Sequence, residues 1–145
     1  MSYNLLIIED NPNDAELITI ALGEAKLGKK AFICENGAEA LDFIFSKGKY
    51  AGAINQINLK AIFLDLKMPK VNGLEVLKQV KSNKTTKRIP VIVVTSSSQY
   101  SDISTAYDLG VNSYIVKPVD FDEFQRKITV VASYWLNENI EPMNQ

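Results

Sequence analysis

The stretch Ala61-Ile62-Phe63-Leu64 runs directly into Asp65 and then into Leu66-Lys67-Met68-Pro69. Four consecutive apolar residues form a strand-length segment. They do not alternate with polar residues, so both faces of the strand should be buried, as in a parallel sheet. The charged residue at the end marks where the strand leaves the core. The same form recurs at Asn4–Ile8, Ala31–Cys34, Val91–Val94 and Ser113–Val116. Helical patterns lie between these runs. Asp14–Lys26 places Ala15, Leu17, Ile18, Ala21, Leu22 and Ala25 on one side. Ala38–Phe45 follows Asn36-Gly37, and Asn36 with Glu39 has capping-box spacing. Val71–Lys81 carries a stripe of Leu74, Leu77 and Val80, with Asn72 and Glu75 at cap spacing. Tyr100–Leu109 stops at Gly110. Phe121–Leu136 carries Phe121, Phe124, Ile128, Val131, Ala132 and Trp135 on one face, behind an Asp120/Glu123 capping pair. Five β-α repeats define an α/β class with a parallel sheet covered by helices on both faces. Right-handed crossovers leave few topologies for such a chain.

Composition narrows the chemistry. The 145 residues suit one domain. A net charge of −1 gives no bulk electrostatic reason to bind nucleic acid or a membrane surface. The longest apolar runs fall far short of the ~18 residues a membrane helix needs. No basic leader precedes Glu9, Asp10 and Asp14, and the expected location is cytoplasmic. One cysteine, Cys34, cannot build a disulfide framework or a thiolate zinc site, and reads as a small buried hydrophobe. The absence of histidine excludes Ser-His-Asp and Cys-His nucleophile systems and every His-ligated metal. Any chemistry must run on carboxylates, hydroxyls, lysines and backbone.

Such groups stand where the strands end. Glu9-Asp10 follows the first strand and Asp65 the third. Thr95-Ser96 ends the fourth, and Lys117-Pro118 the fifth. Open α/β sheets bind ligands outside the carboxyl ends of their strands, at the point where strand order reverses. With the order 2-1-3-4-5, Glu9, Asp10 and Asp65 would converge there, flanked by Thr95 and Lys117. Two carboxylates about 4 Å apart repel by ~4 kcal/mol at an effective dielectric of ~20. Three together therefore call for a cation, and carboxylates with water suit Mg²⁺. Lysine and a threonine hydroxyl suit phosphoryl oxygens, and aspartate is a covalent phosphoryl acceptor in some enzymes.

Glu9-Asp10, the Asp65-to-Pro69 run with Gly73, Thr95-Ser96, and Tyr114 ahead of Lys117-Pro118 together resemble the receiver domain of two-component response regulators. The resemblance covers Asn4 to about Leu136 of a single domain, 1–145, leaving 137–145 as a tail. It implies the flavodoxin-like doubly wound (βα)5 fold. It also implies roles: Asp65 as phosphoacceptor; Glu9, Asp10, Asp65 and the backbone carbonyl of Lys67 around Mg²⁺; Thr95 and Lys117 on the phosphoryl group. Thr95 and Tyr114 would form the switch, and the bond before Pro118 would be cis. The implied donor is a sensor histidine kinase or a histidine phosphotransfer protein. The long Ser46–Lys60 segment and the ending Ser133-Tyr134-Trp135-Leu136 resemble the receivers associated with bacterial phytochrome kinases. The usual output face in the family, made by the fourth helix, fifth strand and fifth helix, implies a homodimer. The aromatic ending is consistent with an interface.

Other readings lead to different expectations. Lys67 is unusual beside the acceptor, and is expected either to tune phosphoryl lifetime or to pair with the site acids when metal is absent. An aspartate-nucleophile phosphatase would need a carboxylate where Lys67 stands. A flavin module would need a Ser/Thr/Gly phosphate loop in place of Glu9 to Asp14. The basic run Lys78, Lys81, Lys84, Lys87, Arg88 reads as a solvated surface. No DNA-binding region follows the last helix before Gln145, so output is expected through protein contacts unless the domain was cut from a longer parent.

Overall fold

The five apolar runs are strands β1 (Leu5–Ile8), β2 (Ala31–Cys34), β3 (Ala61–Leu64), β4 (Val91–Thr95) and β5 (Ser113–Val116). They form one parallel sheet in the order β2-β1-β3-β4-β5. Helices α1 (Pro12–Glu24), α2 (Gly37–Phe45), α3 (Gly73–Ser82), α4 (Tyr100–Asp108) and α5 (Phe121–Ser133) connect them. This computed structural model describes residues 3–28, 30–53 and 58–142. Residues 1–2 and 29, 54–57 of the Ser46–Lys60 segment, and 143–145 of the tail lie outside the described residues.

Both sheet faces are covered, which is why the strands lack alternation. Leu6, Ile8, Ile62 and Leu64 pack with residues of α2 and α3 on one side. Leu5, Ile7, Ala61 and Phe63 pack with α1 and α5 on the other. Cys34 is fully buried, as expected of a small hydrophobe.

Every helix start but that of α4 follows a side-chain cap. Asn36 Oδ1 accepts from Glu39 N, and Asp120 Oδ2 from Glu123 N, both at 2.8 Å. Two helix starts move by two residues from the expected ones. The first helix begins at Pro12 rather than Asp14. Asn11 Oδ1 accepts from the backbone of Asn13 (2.9 Å) and Asp14 (3.2 Å), and proline fits the first helical position. The third begins at Gly73 rather than Val71, because Asn72 is its cap and accepts from Glu75 N.

The last helix ends at Ser133, and Tyr134–Glu138 continue as a π-helical turn. In that turn Leu136 is buried, Trp135 packs partly against the α1–α5 core and Tyr134 is half exposed. Leu136, and in part Trp135, therefore close the core, while Tyr134 is left half exposed. The described part of Ser46–Lys60 is structural too. A 3-10 turn, Gly48–Tyr50, sets Tyr50 edge-on against Phe32 and Phe43 at the β2 edge.

Candidate functional site at the carboxyl edge of the sheet

The parallel ladder extends past the strand ends. Glu9 N donates to Cys34 O (3.0 Å), Asp65 N to Ile8 O (3.0 Å) and Lys117 N to Thr95 O (2.7 Å). The side chains after β1, β3 and β5 are thereby fixed at one edge by backbone hydrogen bonds. Glu9, Asp10 and Asp65 each offer a carboxylate oxygen within 4.8 Å of the others. Glu9 and Asp65 are buried, while Asp10 is exposed. Three carboxylate donors, one open to solvent, fit a hard divalent cation that keeps part of its water shell.

Lys117 lies within this acidic group. Its Nζ is 2.6 Å from Glu9 Oε1, 2.8 Å from Asp14 Oδ2 and 3.7 Å from Asp65 Oδ2. Burial acts to lower the affinity of this ammonium for its proton. Hydrogen bonds to Asp14 and Glu9, with the charges of Glu9 and Asp65, outweigh burial and raise it. Burial lifts the Glu9 carboxyl from the usual 4.5 to about 7, and the Asp65 charge adds to it, against the lowering effect of Lys117. Burial, more than repulsion from Asp65, is what holds this carboxyl up.

Close approach shapes the loop after Asp65. A Cβ on Gly73 would lie 2.2 Å from Asp65 O and 2.6 Å from Leu66 Cα. The start of α3 can therefore press against the backbone carrying Asp65 only because residue 73 is glycine. Thr95, at the end of β4, is fully buried, and its Oγ1 has no hydrogen-bond partner among the described residues. An unpartnered buried hydroxyl costs about 1–3 kcal/mol, so a group that bonds it would be stabilised there. Tyr114 is partly buried. Its hydroxyl donates to Ser97 O at 2.9 Å, and burial is the main cause of its raised pKa.

The structure thus brings Glu9, Asp10, Asp65, Thr95 and Lys117 to one edge and ties Tyr114 to the segment after Thr95. Two expectations are corrected. No peptide bond among the described residues is cis, so Lys117-Pro118 is trans. The two isomers of an X-Pro bond differ by only ~0.5–1 kcal/mol in favour of trans, so the dipeptide alone selects neither. Lys67 does not pair with the site acids. Its Nζ reaches Asp102 Oδ2 on α4 at 3.2 Å instead. Sequence reasoning missed Asp14 and Asp102. Asp14 sits in the first turn of α1, where the helix dipole favours any acid, and that ordinary role masked its contact with Lys117.

The chain belongs to the response regulator receiver domains, whose family model matches residues 5–129. It is similar to response regulator Rcp1 of Synechocystis sp., 33% identical over 132 residues, covering 91% of this chain and 88% of Rcp1. Two solved structures extend the likeness. The phosphorylated cyanobacterial phytochrome response regulator RcpA superposes with a TM-score of 0.89 at 34% identity, over 99% of this chain and all of RcpA. The Mn²⁺-bound form of Rcp1 gives 0.89 at 30% identity, over 97% of this chain and 99% of that one. No described helix is long and apolar enough to cross a membrane.

Proposed function

We propose that this protein is a cytoplasmic phosphorylation switch with Asp65 as the acceptor. The observation that carries the reading is the position of Asp65, buried between the Glu9/Asp10 carboxylates and Lys117 at the carboxyl edge of the sheet. Glu9, Asp10, Asp65 and the backbone carbonyl of Lys67 would hold Mg²⁺, Asp10 directly and Glu9 largely through water. Bound there, Mg²⁺ would offset negative charge on the phosphoryl oxygens.

The remaining work falls to the chain itself. A carboxylate oxygen of Asp65 attacks phosphorus in line, forming the acyl-phosphate P–O bond. The donor's P–N bond breaks, and its electron pair goes to the imidazole nitrogen of a phosphohistidine. This chain has no histidine, so the donor is another molecule, a sensor histidine kinase or a histidine phosphotransfer protein. Lys117 holds a compact positive charge toward the transferred group. Thr95 Oγ1, unpartnered at rest, donates to a phosphoryl oxygen and carries the β4–α4 segment with it. Tyr114, bonded to Ser97 O, follows that segment. We assign a regulator rather than an enzyme, because the position that a phosphatase would fill with an acid is Lys67, committed to Asp102.

The likeness to phytochrome response regulators supports a phytochrome-type kinase as donor. Exposed Tyr100, Tyr107 and Val119 on and near the α4-β5-α5 face support a homodimer through it. The test is incubation with phosphoramidate, a small P–N donor, followed by intact mass and sedimentation. Wild type should gain one phosphoryl group only with Mg²⁺, and Asp65→Asn should gain none. Equal labelling of Asp65→Asn would overturn the assignment.

A further inference from the structure

The contact between Lys67 and Asp102 joins the loop after Asp65 to the segment that the proposed switch would move. Lys67 is two residues beyond Asp65, and its backbone N lies 3.4 Å from Asp65 Oδ1. Its ammonium reaches across to Asp102 Oδ2, on the first turn of α4, at 3.2 Å. The same Oδ2 accepts from Ser97 Oγ at 2.5 Å. Ser97 in turn accepts from Gln99 N at its hydroxyl and from Tyr114 at its carbonyl. The β4–α4 segment is therefore clamped at Ser97 by a carboxylate that is itself held by the loop after Asp65. Thr95 lies two residues before Ser97, with its hydroxyl unbonded.

We propose that the Lys67–Asp102–Ser97 connection is a latch for the resting state, opened when a phosphoryl group on Asp65 gives the Lys67 ammonium a competing anion. The inference rests on Asp65 being the acceptor. At rest, the ammonium has Asp102 as its anion, and the pair holds Ser97 where it is. Movement of Thr95 toward Asp65 pulls on Ser97 and strains the clamp. The added negative charge on Asp65 draws Lys67 away through its flexible four-carbon stem. Asp102 then loses its cation, and the hydrogen bond from Ser97 to Asp102 is no longer anchored to the β3–α3 loop. A latch of this kind biases a two-state equilibrium only through contacts present in one state.

The pair is partly exposed, with Lys67 60% and Asp102 14% accessible, so its effect is moderate. Removing it should shift the equilibrium by about two- to fivefold. The test uses beryllofluoride with Mg²⁺ as a phosphoryl mimic, with binding followed by calorimetry on the full chain. Asp102→Asn should bind it about two- to fivefold more tightly than wild type. Lys67→Met should show no such gain, because it loses both the latch and the cation near the mimic. Asp102→Asn binding equal to or weaker than wild type would overturn the latch. A structure of the wild-type complex provides the second readout. Lys67 Nζ should lie beyond 4 Å of Asp102, and an intact pair would overturn the proposal. Asp65→Asn separates the two claims. If wild type binds the mimic and Asp65→Asn does not, the acceptor stands whatever the latch variants do. If wild type and Asp65→Asn behave alike, both fail.

Discussion

Replacing Glu9 with glutamine should stabilise the metal-free protein at pH 8 while weakening its hold on Mg²⁺. The Glu9 carboxyl is buried beside Asp65, and its pKa is raised from 4.5 to about 7. A raised folded-state pKa means that the folded protein binds this proton more tightly than the unfolded chain does. The associated stability is full below pH 4.5 and is lost as pH rises through 7. At pH 8 carrying the charged carboxylate costs the fold about 3 kcal/mol, whereas at pH 5 the folded carboxyl is neutral and the cost of protonating it is about 1 kcal/mol. That figure already includes the favourable contact with Lys117 at 2.6 Å. Glutamine keeps an oxygen for Lys117 and carries no charge. Urea unfolding without metal should therefore show Glu9→Gln gaining about 1–3 kcal/mol over wild type at pH 8, and about 1 kcal/mol or less at pH 5. Calorimetry should show Mg²⁺ affinity falling by about 10- to 100-fold. A variant less stable than wild type at pH 8, or one with the same advantage at both pH values, would show that Glu9 is not a buried charge that burdens the fold.

Other parts of the structure make separate predictions. Gly73→Ala forces a Cβ into backbone atoms of Asp65 and Leu66, so thermal or urea unfolding should show a loss of at least about 2 kcal/mol; a loss below about 0.5 would contradict the close approach. Thr95→Val removes an unpartnered buried hydroxyl. It should leave the resting protein equally stable or about 1 kcal/mol more stable, yet slow phosphorylation by phosphoramidate about tenfold or more. Lys81 is at the opposite edge of the sheet, where its Nζ bonds Lys87 O, Ile89 O and Asn112 Oδ1. Lys81→Met should cost about 1–3 kcal/mol in urea unfolding and leave the phosphorylation rate of the folded protein unchanged.

Much of this molecule is legible along the chain because its decisive signals are local. A run such as Ala61–Leu64 needs no partner to announce a strand buried on both faces, and the charged residue after it announces the edge. Asn36, Asn72 and Asp120 act as caps within three residues of their partners. The convergence of Glu9, Asp10 and Asp65 follows once strand order is known, because the ladder aligns the residues after each strand. What was hidden is long-range or nearly balanced. Asp14 meets Lys117 across 103 positions, and Lys67 meets Asp102 through a side chain whose direction the sequence does not state. The Asn11-Pro12 pair reads equally as a turn and as a cap with a first helical residue, which displaced the start of α1. The isomer at Pro118 turns on a preference of ~0.5–1 kcal/mol, too small for a dipeptide to reveal.

The most direct test of the account is the chemical identity of the modified residue. After reaction with phosphoramidate and Mg²⁺, borohydride reduction converts an acyl phosphate on aspartate to homoserine, which peptide mass spectrometry can place. Homoserine is expected at position 65 alone, and none when Mg²⁺ is withheld. Homoserine at position 10 or 14, or no reduced residue at all, would contradict it.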